Sequence, residues 1–158
     1  MTGTLRASVM ASTRHLVMPE DHMERLYRSP NPLVRFVHNQ RLAAIIKAVP
    51  RRSGLSVLDA GCGEGQLIER LQKALPDDHY VGVDITPVAL EKARQRCQFA
   101  TFKKADLSAT GFGDSSFDVI VCTEVIEHVP EYNDVLAEFV RLLKPGGLLI
   151  ITFPNKRL

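Results

Sequence analysis

Along residues 53–158 short apolar runs alternate with longer stretches in which apolar side chains recur every three or four positions, as in strands alternating with helices. The spacing predicts a strand over 56–60, a helix over 66–75, a strand over 80–83 ending at Asp84, a helix over 87–97 and a strand over 99–104 leading to Asp106. A fourth strand is expected over 117–122. A helix over 132–143 follows, stopped by Lys144, Pro145, Gly146 and Gly147 before a fifth strand over 148–153. Strands this apolar on both faces belong inside a parallel sheet covered by helices. Upstream, residues 20–49 read as helical and are cut in two by Pro30 and Pro32. Asn31 is placed to cap the second piece, and Leu42, Ile45, Ile46 and Val49 form its apolar stripe. With Pro50 and Gly54 closing this segment, the expected division is a disordered leader (1–19), N-terminal helices (20–52) and an α/β domain (53–158).

The first strand runs directly into Gly61, Gly63 and Gly65, where the backbone can turn sharply and a ligand can approach the main chain without meeting a Cβ. A dinucleotide loop reads G-x-G-x-x-G and seats a pyrophosphate on the following helix; here the spacing is G-x-G-x-G. Asp59 before the loop and Glu64 within it would repel a phosphate and suit a cation. S-adenosylmethionine answers that description, since it carries a sulfonium and an ammonium and no phosphate. Asp84, 19 residues past Gly65, stands where a carboxylate accepts from both hydroxyls of a ribose. Asp106 is placed to accept from an adenine amino group while Leu107 packs on the ring. Each aspartate alone reads as a helix cap or turn residue; their joint placement at the ends of successive strands favours one shared ligand.

Charge and composition narrow the class. The 158 residues, 45% hydrophobic with a formal charge of +2, fit one globular domain. No apolar run approaches bilayer length and no secretory signal pattern opens the chain, so a cytoplasmic protein without a transmembrane segment is expected. The first 19 residues, basic and free of acids, loosely fit a mitochondrial transit peptide, though a disordered leader is the plainer reading. Cys62, Cys97 and Cys122 are odd in number and form no CxxC pair, so reduced thiols are expected. Residues 1–52 hold nine Lys or Arg against three acids, and residues 53–158 eleven against fifteen. The basic part could face an anionic substrate, a nucleic acid or a membrane surface, but a solvated helix face is the commoner reason for such an excess.

Five ordered motifs resemble the class I S-adenosylmethionine-dependent methyltransferases, and more closely the group that includes the ubiquinone and menaquinone biosynthetic enzymes. They are VLDAGCGEG (57–65), VGVDIT (81–86), ADLS (105–108), FDVIVCTEVIEHV (117–129) and LLKPGGLLIITFPN (142–155). The resemblance implies a doubly wound, Rossmann-like, mostly parallel α/β sheet of order 3-2-1-4-5, with the cofactor at the switch point between the first and fourth strands. It implies cofactor contacts from Asp59, Ala60, Gly61, Cys62 and Gly63 around the methionine end, from Asp84 and Ile85 at the ribose and adenine, from Asp106 and Leu107 at the adenine edge, and from Glu124 on the opposite wall. The N-terminal helices would then cover the methyl acceptor, with Phe36, His38 and Arg41 candidates to face it. The family's sheet continues with a helix and two more strands, so a fragment without the family's last two strands is one expectation. A complete sheet would call for roughly 50 or more further residues. An oligomer or a partner chain could cover the edge of the fifth strand.

Methyl transfer is an in-line displacement, so the protein aligns the nucleophile and, for a hydroxyl, removes its proton. His128, with Glu127 beside it, is the candidate base because its ordinary pKa lies near neutrality; capping or packing against the next helix is the structural alternative. Glu124, Glu127 and His128 also form an E-x-x-E-H string that resembles the metal-binding segment of RNA 3′-end ribose methyltransferases and of some quinone O-methyltransferases. No histidine follows His128, so the further ligand of the RNA enzymes is missing and no metal is assigned. The leading expectation is an enzyme that methylates a small-molecule acceptor at oxygen, nitrogen or carbon. An RNA 3′-end ribose 2′-O-methyltransferase, with nucleic acid as partner, and a non-catalytic cofactor-binding fragment or partner subunit are the alternatives.

Overall fold

A computed structural model describes residues 30–153. The expected leader, the first N-terminal helix and the last two residues of the fifth motif lie outside them. Helix α1 (Pro32–Ala48) starts where Asn31 stands as N-cap, its Oδ1 accepting from the Leu33 amide at 2.9 Å, with proline in the first turn. Then strand and helix alternate: β1 (Ser56–Ala60), α2 (Gln66–Ala74), β2 (His79–Asp84), α3 (Pro87–Arg96), β3 (Thr101–Lys104), β4 (Phe117–Thr123), α4 (Tyr132–Leu142) and β5 (Leu143–Thr152). Among the described residues these strands form one parallel sheet, in the expected order β3-β2-β1-β4-β5.

The period of two along the strands sorts their side chains into two cores. Val57, Tyr80, Phe102, Val119 and Val121 pack with Leu42 and Ile45 of α1, Ile68 and Leu71 of α2, and Leu90 and Ala93 of α3. Leu58, Ala60, Val83, Ile120 and Cys122 pack with Val135, Phe139 and Leu142 of α4. Helices therefore cover both faces of the sheet, as parallel pairing requires. Gly82 in β2 marks a close approach: a Cβ there would stand 2.6 Å from the Phe102 ring and 2.8 Å from Cys62 Sγ.

β3 begins at Thr101 rather than 99 and several other ends move by one residue; the largest difference from expectation lies at the fifth strand. β5 begins at Leu143, not at 148, because the backbone is already extended beside Phe117; the Lys-Pro-Gly-Gly segment then interrupts the register between Phe117 and Val119, with Gly146 at φ +74°. The segment stops the helix as predicted but bulges within the strand. β5 pairs only with β4 among the described strands, and its residues stay half-buried or exposed. Among the described residues no helix is long and apolar enough to cross a membrane.

Candidate cofactor and active site

The strand order reverses between β1 and β4, so the loops leaving their C-terminal ends diverge to opposite faces and open a crevice at that edge. The loop after β1 takes Gly61, Gly63 and Gly65 to φ +83°, +51° and +80°. It is held to β2: the Gly61 and Cys62 amides both donate to Val83 O, at 2.8 and 2.9 Å. Gly61 is required for a second reason, since a Cβ there would lie 2.4 Å from Val125 Cγ2, on the segment leaving β4. The two walls of the crevice meet at that glycine.

Asp84, ending β2, accepts from the Gly63 amide at one oxygen (2.8 Å) and from the Thr86 amide at the other (2.8 Å). A carboxylate has about four lone-pair sites, so both oxygens retain capacity for a ligand. Asp59 is buried under the loop, and burial, reinforced by the nearby Asp84 charge, pushes its pKa up to about 7. Ala60 is wholly buried and Cys62 nearly so; burial raises the Cys62 thiol far above its ordinary range, which makes it inert packing. Ile85, next to Asp84, leaves 45% of its surface open, whereas Leu107 is buried against the α4 core.

Glu64 corrects the charge argument made from sequence. Its side chain is buried and accepts from Lys92 Nζ at 2.7 Å and Gln66 Nε2 at 3.0 Å, while Arg96 Nε donates to its carbonyl at 3.0 Å. It ties the loop to α3 and presents no free charge to the crevice. The preference for a cationic ligand therefore rests on Asp59, whose buried charge a sulfonium or ammonium would stabilise. The donor set fits S-adenosylmethionine: a buried acid under a glycine loop, with a second acid at the end of the next strand.

Asp106 begins the connection from β3 to β4 and is exposed; its Oδ1 accepts from the Ser108 amide (2.9 Å) and hydroxyl (2.7 Å), which makes it a turn-former as well as a ligand candidate. On the far wall Glu124 follows β4 with φ +52°, and its amide donates to Thr152 O at 3.1 Å. Its carboxylate is paired with Arg41 of α1, which also meets His38 Nδ1. This pair fixes α1 across the C-terminal edge of β4, a contact the sequence did not reveal because the partners lie 83 positions apart. Of the three α1 residues expected to face an acceptor, Arg41 and the buried His38 lie beside the crevice wall, and Phe36 is exposed with Leu33 and Val37.

Glu127 and His128 occupy a single 3₁₀ turn (Ile126–His128). His128 Nε2 is 4.0 Å from Glu127 Oε1, and the imidazole is exposed. Among the described residues no three His, Cys, Asp or Glu side chains converge as metal ligands; Glu124 turns to Arg41 instead.

Comparison with known proteins agrees with this geometry. A family model described as a methyltransferase domain matches residues 58–151. The chain is 36% identical over 118 residues to a ubiquinone biosynthesis O-methyltransferase of Methylococcus capsulatus, covering 72% of this chain and 49% of that protein. It is 30% identical over 113 residues to a trans-aconitate 2-methyltransferase of Variovorax paradoxus, covering 72% and 44%. Among solved structures it superposes on a phosphoethanolamine N-methyltransferase of Haemonchus contortus, in complex with phosphomonomethylethanolamine and S-adenosylhomocysteine, with a TM-score of 0.67 and 28% identity, covering 73% of this chain and 28% of that one. The chain thus spans about half the length of the curated relatives it matches. By its matched domain, sheet order and glycine loop, it belongs to the methyltransferase domain family, in the class I, S-adenosylmethionine-dependent group.

Proposed function

We propose that this chain carries the cofactor half of an enzyme that moves a methyl group from S-adenosylmethionine to a small-molecule acceptor. The observation that carries the reading is the buried Asp59 under a loop of positive-φ glycines, with Asp84 clamping that loop by the Gly63 amide. The named relatives act on small molecules, which favours such an acceptor over RNA.

The cofactor supplies a methyl on positively charged sulfur, already activated for displacement. The protein's part is then placement and proton handling. Asp59, with Ala60, Gly61, Cys62 and Gly63, surrounds the cationic methionine end; Asp84 accepts from the ribose hydroxyls and Ile85 lies against the adenine. Asp106 and Leu107 form the adenine edge. Glu124, held by Arg41, closes the opposite wall, and α1 excludes water from above it. His128, paired loosely with Glu127, takes the acceptor's proton where the acceptor is a hydroxyl.

Calorimetric titration with S-adenosylmethionine, S-adenosylhomocysteine and NAD, on wild type and Asp84→Ala, tests the cofactor assignment. Wild type should bind both adenosyl compounds and not NAD, and the substitution should weaken them about 100-fold, or about 2.7 kcal/mol. Binding of NAD alone would sink the reading.

A further inference from the structure

We propose that Glu138 and Arg141 on α4 are positioning residues for the adenine side of the cofactor site, acting on Asp106 and Leu107 through Thr110. The proposal rests on the cofactor reading above and adds a part of the molecule that no motif assigns to the site. Asp106 and Leu107 open the long connection between β3 and β4, residues 105–116, which has no helix or strand of its own. A free connection of that length would leave Asp106 many positions to occupy, and a ligand would have to order it on binding.

The local turn is self-contained. Asp106 and Ala109 form an isolated bridge, the Ala109 amide donating to Asp106 O at 3.1 Å. Beyond the packing of Leu107, the next residue bonds this turn to the body of the protein. Thr110, 1% exposed, donates both its amide (2.9 Å) and its hydroxyl (2.6 Å) to the same oxygen of Glu138, itself only 8% exposed. Arg141 closes the arrangement with a fork, Nε to Glu138 Oε2 at 2.8 Å and Nη2 to Oε1 at 2.8 Å. Its remaining donors reach Phe112 O (2.9 Å) and Asp114 (2.5 Å), and its carbonyl accepts from the Ser115 amide (2.9 Å), which sits at φ +52°.

Two residues of one helix thus hold the connection at Thr110, Phe112, Asp114 and Ser115, while Leu107 packs in the same core as Val135, Phe139 and Leu142. Neither side chain is among those placed at the crevice, so both act at a distance. The guanidinium of Arg141 beside Glu138 holds that carboxyl down to about 2, so the clamp stays ionised at any working pH. The same helix follows the 3₁₀ turn that carries His128, and one rigid element thereby relates the adenine edge to the candidate base.

The test separates positioning from plain stability. The ratio of dissociation constants for S-adenosylhomocysteine and S-inosylhomocysteine, whose base carries a carbonyl in place of the amino group, reports the adenine edge alone. Titrations of the full chain should give wild type a preference of about tenfold for the adenine compound. Glu138→Gln and, independently, Thr110→Val should reduce it to about two- or threefold, with Thr110→Ser restoring the wild-type value. A preference unchanged in both variants, with only a lower melting temperature, would falsify the proposal. Should Glu138→Gln not fold, Thr110→Val decides. Equal binding of the two compounds to wild type also overturns it, because no adenine-edge contact then exists to be positioned. Failure of wild type to bind either compound brings down the cofactor reading itself, and this proposal with it.

Discussion

The two walls of the crevice are built differently. The wall from β1 and β2 is tied down along its length: β1 is buried over four of its five residues, and its loop is hydrogen-bonded to Val83 and Asp84. The wall from β4 and β5 starts from a strand buried at five of its seven residues but leaves it less regularly. Beyond Thr123 it has a left-handed Glu124, one 3₁₀ turn and an exposed imidazole, flanked by a strand that is nowhere fully buried. A site for a fixed cofactor profits from preorganised backbone donors, whereas an acceptor must enter and leave. Under the proposed function, the first wall would recognise the constant ligand and the second would serve the variable acceptor.

The largest effect should come where the walls touch. Gly61→Ala combines a left-handed φ with a Cβ 2.4 Å from Val125, so it should destabilise the fold by about 3–4 kcal/mol and abolish cofactor binding together with activity, measured by denaturant unfolding and titration. A fully stable, binding variant would mean that the walls are independent. A more selective perturbation is His128→Ala, expected to lower turnover about 100-fold, about 2.7 kcal/mol in barrier, while cofactor affinity stays within twofold. If turnover is unchanged, the base lies elsewhere.

The smallest predicted effect concerns pH. Folded Asp59 keeps its proton up to about pH 7, whereas in the unfolded chain it would ionise near 3.8, so the folded state holds the extra proton between those values. Stability without cofactor should accordingly fall as pH rises through that window, and the ionised carboxylate that suits a cation becomes the major form only above about 7. Affinity for S-adenosylmethionine should rise about tenfold between pH 6 and pH 8, or about 1.4 kcal/mol, and Asp59→Asn should flatten the profile. A flat wild-type profile would remove Asp59 from contact with the cation and weaken the contrast between the walls.

Much of this architecture was legible from sequence. Glycine at alternate positions after an apolar strand announced the loop, Asn31-Pro32 announced the start of α1, and Asp84 and Asp106 marked successive strand ends. Such signals are local, because capping, turn chemistry and the period of two act within a few residues. The roles misread or missed all depend on distant partners. Glu64 looked like a ligand for a cation until α3 supplied Lys92 and Arg96. Gly82 was unremarked as a contact point until β3 brought up Phe102.

Sequence alone determined which backbone would form and which residue types stood at the strand ends, since propensity, patterning and glycine spacing are properties of neighbouring positions. Only the tertiary structure decided which charges remained available. Burial and pairing across 28 to 83 positions neutralised Glu64 through Lys92, joined Glu124 to Arg41, fixed the connection between β3 and β4 through Glu138, and left Asp59 buried with its pKa raised toward neutrality. A charge's availability depends on its solvation and on the opposite charges near it, and both are set by the folded packing rather than by order along the chain.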